Sequence, residues 1–133
     1  MTETFKKLNF KSQNPILVLK APASFAAEIS SMKAETQIHA APKSGVRYAF
    51  VLAFGEMRVQ IEEAGRIVVK LLDGDAVCWF GYPKGTSKKL KSDLNRAIMW
   101  DALLPFGIRP VRQIAIDNDW SALRFRKIED VKS

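Results

Sequence analysis

Apolar residues fall in short runs broken by polar turns, and the period inside those runs alternates between strand and helix. "PILVLKAP" (15–22) is a continuous apolar run ending in turn residues, which predicts a buried strand. "SFAAEISSM" then spaces Phe25, Ile29 and Met32 at i, i+4 and i+7, the stripe of a short helix with Ser24 as its N-cap. "TQIHA" (36–40) predicts a weak strand at a sheet edge, and "APKSG" a turn. "VRYAFVLAF" (46–54) is the strongest strand signal; its near-continuous apolar character predicts burial on both faces, as in parallel sheets. From Glu56 the period becomes helical through Met57, Ile61, Ala64, Val68 and Leu71, and "LDGD" closes that helix with Gly74 in the left-handed C-terminal position. "AVCWFGYP" (76–83) is the next buried strand, followed by the loop "KGTSKK" and a helix through "SDLNRAIMWDALL". That helix is expected to be capped by Ser92 and to stop before Pro105. "PVRQIAID" and "WSALRFRKI" are two strands joined by the turn "DND", an antiparallel hairpin.

The order β-α-β-β-α-β-α-β-β predicts an α/β protein, a three-layer α/β/α sandwich on a mostly parallel sheet. Positions 1–13 read as a loose polar tail with Lys6, Lys7 and Lys11, and positions 14–130 as a single domain, as a length of 133 residues suggests. The longest apolar run, "AFVLAF" (49–54), is far short of the ~20 residues that span a bilayer, and the polar start has no secretory pattern. A cytoplasmic protein with no membrane partner is expected. Cys78, the single cysteine, lies inside an apolar strand and reads as a buried small hydrophobe. With one histidine, His39, no metal site is expected, and His39 reads as a strand residue with a local hydrogen bond. Trp79 and Trp100 read as core, and Glu62 and Glu63 as a solvated helix face.

A formal net charge of +7 favours anionic partners. In open α/β sheets ligands sit beyond the carboxyl ends of the strands, where strand order reverses. That edge is expected to collect the "KAPAS" loop, Phe54–Gly55–Glu56, "YPKGTSK" and the "DNDW" turn, with Lys20, Ser24, Lys84, Thr86, Ser87, Asp117, Asp119 and Trp120 as the candidate residues. Lysines beside a helix N-terminus suit a phosphate or carboxylate. Two further basic groups stand out: Lys84, Lys88, Lys89, Lys91 and Arg96 before and into the last helix, and Arg109, Arg112, Arg124, Arg126 and Lys127 on the final hairpin. Alternation along "RFRK" puts Arg124 and Arg126 on one strand face. No recognised nucleic-acid-binding motif accompanies them, and no serine, cysteine or lysine stands in a known catalytic motif.

The stretches "ILVLKAPASF", "WFGYPKGTSKKLKSDL" and "LPFGIRPVRQIAIDNDWSALRF" resemble a bacterial family of small proteins of unassigned function, over positions 14–128. The most specific pieces are "YPK" (82–84) and "DWSALRF" (119–125). That family resembles a trimmed S-adenosylmethionine-dependent methyltransferase domain, which implies a six-stranded sheet of order 2-1-3-4-6-5 with the last strand antiparallel. In such domains glycines after the first strand let backbone approach the cofactor, and an acidic residue after the second holds the ribose hydroxyls. Here the first loop carries Lys20, Ala21, Pro22, Ala23 and Ser24, with no glycine and with a proline that lacks an N–H, and "HAAPK" supplies no carboxylate. No cofactor and no catalytic residue are therefore expected. The leading expectation is a non-catalytic domain that binds an anionic small molecule or a protein partner at the carboxyl edge. The alternatives are a divergent transferase or methyltransferase-like enzyme using Lys20 or Lys84 as a clamp, and a nucleic-acid-binding protein using its basic surface. A homodimer through the edge "TQIHA" or "PVRQIAI" is a further expectation.

Overall fold

The computed structural model describes residues 1–131. Its six strands are β1 (Ile16–Leu19), β2 (Ile38–His39), β3 (Tyr48–Phe54), β4 (Leu72–Pro83), β5 (Ile108–Ala115) and β6 (Trp120–Lys127). They form one sheet of order β2-β1-β3-β4-β6-β5. β1 runs parallel to β2 and β3, β3 is parallel to β4, and β6 is antiparallel to both β4 and β5. The expected strand order and the antiparallel last strand are both present. Among the described residues no helix is long and apolar enough to cross a membrane.

Period-2 alternation sorts the strand residues into two cores, one on each sheet face. Leu17, Leu19, Val51, Ala53, Cys78, Phe80, Leu123 and Phe125 pack with Ile61, Ala64 and Val68 of α3 (Arg58–Val68) and Met99, Ala102 and Leu103 of α4 (Arg96–Leu103). Ile16, Val18, Phe50, Leu52, Phe54, Trp79 and Ala122 pack with Phe5 of α1 (Glu3–Lys7), Leu8, Phe10, Phe25 and Met32. Met32 ends α2 (Ala26–Met32), so helices cover both faces and the sandwich has three layers. Cys78 is buried as expected, and burial pushes its thiol pKa up to about 12, which leaves it inert at neutral pH.

The expected loose tail is instead part of the core. Thr2 caps α1, its hydroxyl accepting the Phe5 N–H at 3.1 Å, and Phe5, Leu8 and Phe10 are buried. Trp79 fixes the segment from inside by donating its indole N–H to the Leu8 carbonyl at 2.8 Å. Helix boundaries also shift. Ser24 is exposed within a 3-10 turn (Ala23–Phe25) and caps nothing; α2 starts after it. Asn95, not Ser92, caps α4 by accepting the Ile98 N–H at 2.9 Å, while Ser92 accepts the Leu94 N–H at 3.0 Å. "LDGD" opens β4 and does not close α3. Gly74 does take a left-handed φ of 60°, but in a strand irregularity where the register jumps from Tyr48–Leu72 to Phe50–Val77. Of the two tryptophans expected in the core, Trp79 is buried and Trp100 is 42% exposed.

Candidate binding cleft

β1 is flanked by β2 on one side and β3 on the other, so the chain turns in opposite directions at the carboxyl ends of β1 and β3. A cleft of ≈ 910 Å³ opens there. Its walls are Leu19–Pro22 after β1, Ala40–Pro42 after β2, Phe54–Glu56 after β3, and Val59, Gln60, Glu63, Ala64 and Ile67 of α3, with Trp120 from the start of β6.

Phe54 and Trp120, both nearly buried, meet edge to face with centroids 5.3 Å apart, and Phe25 supports Phe54 at 5.2 Å. Gly81 makes room for this ring: a Cβ there would lie 2.7 Å from Phe54 Cδ2. Charge at the rim is sparse. Lys20 is exposed and sits at φ 57°, a left-handed conformation that costs a non-glycine residue roughly 1–2 kcal/mol. Glu63 lies on the solvated helix face expected of it, pairs with Arg66 at 2.5 Å and forms part of the cleft wall. Glu56 has no cationic partner among the described residues.

Three successive backbone donors leading into α3 are already taken. Gln60 Oε1 accepts the N–H groups of Glu56 at 2.7 Å and Met57 at 3.0 Å, and Asp93 Oδ1 accepts that of Arg58 at 2.8 Å. Arg58 also bonds Asp101 at 2.7 Å and Glu62 at 3.2 Å, tying the cleft wall to α4. The Asp101 and Glu62 bonds raise the Arg58 pKa.

Of the residues that the sequence marked, Lys20 and Trp120 line the cleft. Ser24 lies on the adjacent turn without lining it. Lys84, Thr86, Ser87 and Asp119 belong to a second loop cluster. There the Lys84 N–H donates to the Asp119 carbonyl at 2.8 Å, and the Ser87 hydroxyl donates to Asp119 Oδ1 at 2.8 Å. Asp117 Oδ1 accepts the N–H groups of Asp119 and Trp120, each at 2.8 Å, which fixes the turn between β5 and β6. Lys20 and Lys84 thus do not share one helix N-terminus. Phe54–Gly55–Glu56, expected at this edge, does line the cleft, whereas sequence reasoning missed Val59 and Ile67. The signal for α3 was present: Val59, Glu63 and Ile67 recur at i, i+4 and i+8, off the core stripe, and Val59 is 69% exposed. His39 makes the local bond expected of it, its Nδ1 lying 2.6 Å from the Tyr48 hydroxyl.

No protein-family model matches the chain, and no curated protein matches its sequence. Solved structures do match in fold. An N-methyltransferase, NodS, from Bradyrhizobium japonicum WM9 aligns with a TM-score of 0.55 at 10% identity, over 94% of this chain and 92% of that one. The magnesium protoporphyrin IX methyltransferase ChlM of Synechocystis PCC 6803 aligns with a TM-score of 0.60 at 8% identity, over 92% and 78%. A SAM-dependent methyltransferase from Aquifex aeolicus gives 0.59 at 8% identity, over 94% and 89%. At such identities the likeness concerns the fold alone: this chain has the Rossmann-like α/β fold of S-adenosylmethionine-dependent methyltransferases.

Proposed function

We propose that this chain is a binding domain on a methyltransferase fold, without methyl-transfer activity, whose cleft takes an apolar small molecule carrying one negative charge. The observation that carries this reading is the single cation, Lys20, set at the rim of a cleft walled by Phe54, Trp120, Val59 and Ile67. Its ≈ 910 Å³ lies within the usual range of ligand pockets, roughly 300–1,000 Å³. A polyanion is disfavoured, because the amides of Glu56, Met57 and Arg58 are occupied and the Glu56 carboxylate stands on the same wall.

S-adenosylmethionine does not suit this wall. Every position from Lys20 to Ser24 carries a side chain, Pro22 offers no N–H, and the Pro22 carbonyl is bonded to the Phe25 N–H at 2.9 Å in the 3-10 turn. The wall after β2 is Ala40, Ala41 and Pro42, which provides no carboxylate for ribose hydroxyls.

A thermal-shift screen tests the reading with aromatic and heteroaromatic carboxylates, nucleotides and S-adenosylmethionine. A monocarboxylate is expected to raise the melting temperature; at ~100 times its Kd it adds about 2.7 kcal/mol. Lys20→Ala, which keeps a Cβ in the left-handed conformation, should weaken that ligand about tenfold, or ~1.4 kcal/mol. A shift that survives Lys20→Ala, or no shift with any monoanion, would count against it.

A further inference from the structure

The outer half of the sheet carries a charge arrangement that the cleft does not use. β5 and β6 pair in a register that sets Arg109 opposite Arg126 and Arg112 opposite Arg124. Directly opposed residues of an antiparallel pair point to the same face, so four guanidinium side chains share one side of this hairpin. The face is the one bearing α1 and α2, because Ala122 and Ile114, each two residues from one of these arginines and so on the same side, pack in that core. Like charges directly opposite each other destabilise a ladder, yet the hairpin holds two such pairs in succession.

Internal compensation is slight. Asp75 bonds Arg126 through both guanidinium nitrogens, at 3.0 and 2.5 Å, which is the only ion pair made by the four among the described residues. Arg126 in turn holds the Asp75 carboxyl below its ordinary pKa. Arg109, Arg112 and Arg124 have no acidic partner among the described residues, and the Nε atoms of Arg109 and Arg124 are sealed from solvent without a hydrogen-bond acceptor. Burial, with Arg126 and Arg112 nearby, lowers the Arg124 pKa. Arg112 itself is exposed at the sheet edge.

We propose that Arg109, Arg112, Arg124 and Arg126 form a phosphate-binding face for single-stranded nucleic acid, separate from the cleft. Arg124 and Arg126 stand two residues, about 6.7 Å, apart along β6, and a bulge between Pro110 and Arg112 of β5 keeps Arg109 and Arg112 in step with them, a spacing suited to successive phosphates of an extended strand. Guanidinium groups match phosphate oxygens bidentately, and the net charge of +7 supports association with a polyanion. No exposed aromatic side chain alternates with the arginines on these strands, so recognition is through the backbone and independent of base sequence.

Fluorescence anisotropy with a labelled mixed-sequence DNA or RNA 12-mer tests this on the full chain across a salt series. Four phosphate contacts predict a slope of log K against log[salt] near −3, at ~0.7 per contact for single strands. The double variant Arg112→Gln/Arg124→Gln should bring the slope to about −1.4 and keep a cooperative thermal transition, since it removes opposed charges. Lys20→Ala should leave the slope unchanged. Absence of binding at low salt, a slope indifferent to the arginine variants, or equal competition by polyglutamate would overturn the proposal; the last result would mark an acidic-protein face instead. Binding through the loop lysines would appear as loss in Lys88→Gln/Lys89→Gln with the arginine variants unaffected, and would overturn it too.

Discussion

Replacing Phe5 with alanine is expected to destabilise the domain by about 3–5 kcal/mol, the cost of emptying a buried phenylalanine site. Phe5 is fully buried and touches three other rings, with centroids 6.1 Å from Phe10, 5.9 Å from Phe25 and 6.0 Å from Phe50. The segment that carries it is fastened by the Trp79 indole on the Leu8 carbonyl, by Lys7 Nζ donating to the Ala115 carbonyl at 2.8 Å, and by Thr4 donating to Glu28 at 3.1 Å. Little in these contacts allows the site to collapse around a smaller residue. Single domains have a total stability of about 5–15 kcal/mol, so this one change removes a large fraction of it. Urea unfolding monitored by tryptophan fluorescence measures the loss directly. A change below ~1 kcal/mol would return residues 1–13 to the status of a tail.

The second large effect is expected at Phe54→Ala, again about 3–5 kcal/mol, with a consequence for binding as well. Phe54 ends β3, packs between Phe25 and Trp120, and supplies cleft wall at the same time. Truncation opens the α1–α2 core into the cleft, so stability and ligand binding should fall together. Phe54→Leu keeps most of the apolar volume and should recover much of the stability while still weakening an aromatic ligand. Parallel chemical denaturation and ligand titration of both variants separate the two roles. If Phe54→Ala bound the ligand as tightly as the parent, the floor of the cleft would lie elsewhere.

Much of this fold was legible because β1, β3 and β4 are apolar on both faces and the helices between them keep a clear 3.6-residue stripe. The strand order came through resemblance, not periodicity, and the sheet has that order. α1 was illegible for a physical reason: it has five residues, and its buried Phe5 is followed by Lys6 and Lys7, so no stripe can develop. The role given to Gly74 failed differently. A left-handed glycine after an apolar helix reads as a C-cap, and only the pairing with β3 reveals a strand irregularity. At the cleft, Lys20 and Trp120 were legible as strand-end residues. The separation of the Lys84 loop from the cleft was not, because Asp119 accepts both the Lys84 N–H and the Ser87 hydroxyl and so gathers that loop onto the turn between β5 and β6. Val59 and Ile67 were hidden by the habit of reading a helix for its core stripe alone.

The most direct test of the central claim is an amide chemical-shift titration of the isotopically labelled protein with S-adenosylmethionine, followed by the monocarboxylate selected by thermal shift. The prediction is no saturable change at Ala21, Ala41 or Gly55 with S-adenosylmethionine up to millimolar concentration, and saturable changes at those same amides with the carboxylate. Saturable shifts at Ala21 and Gly55 with S-adenosylmethionine would contradict it, and would mean that a loop built on Pro22 still cradles the cofactor.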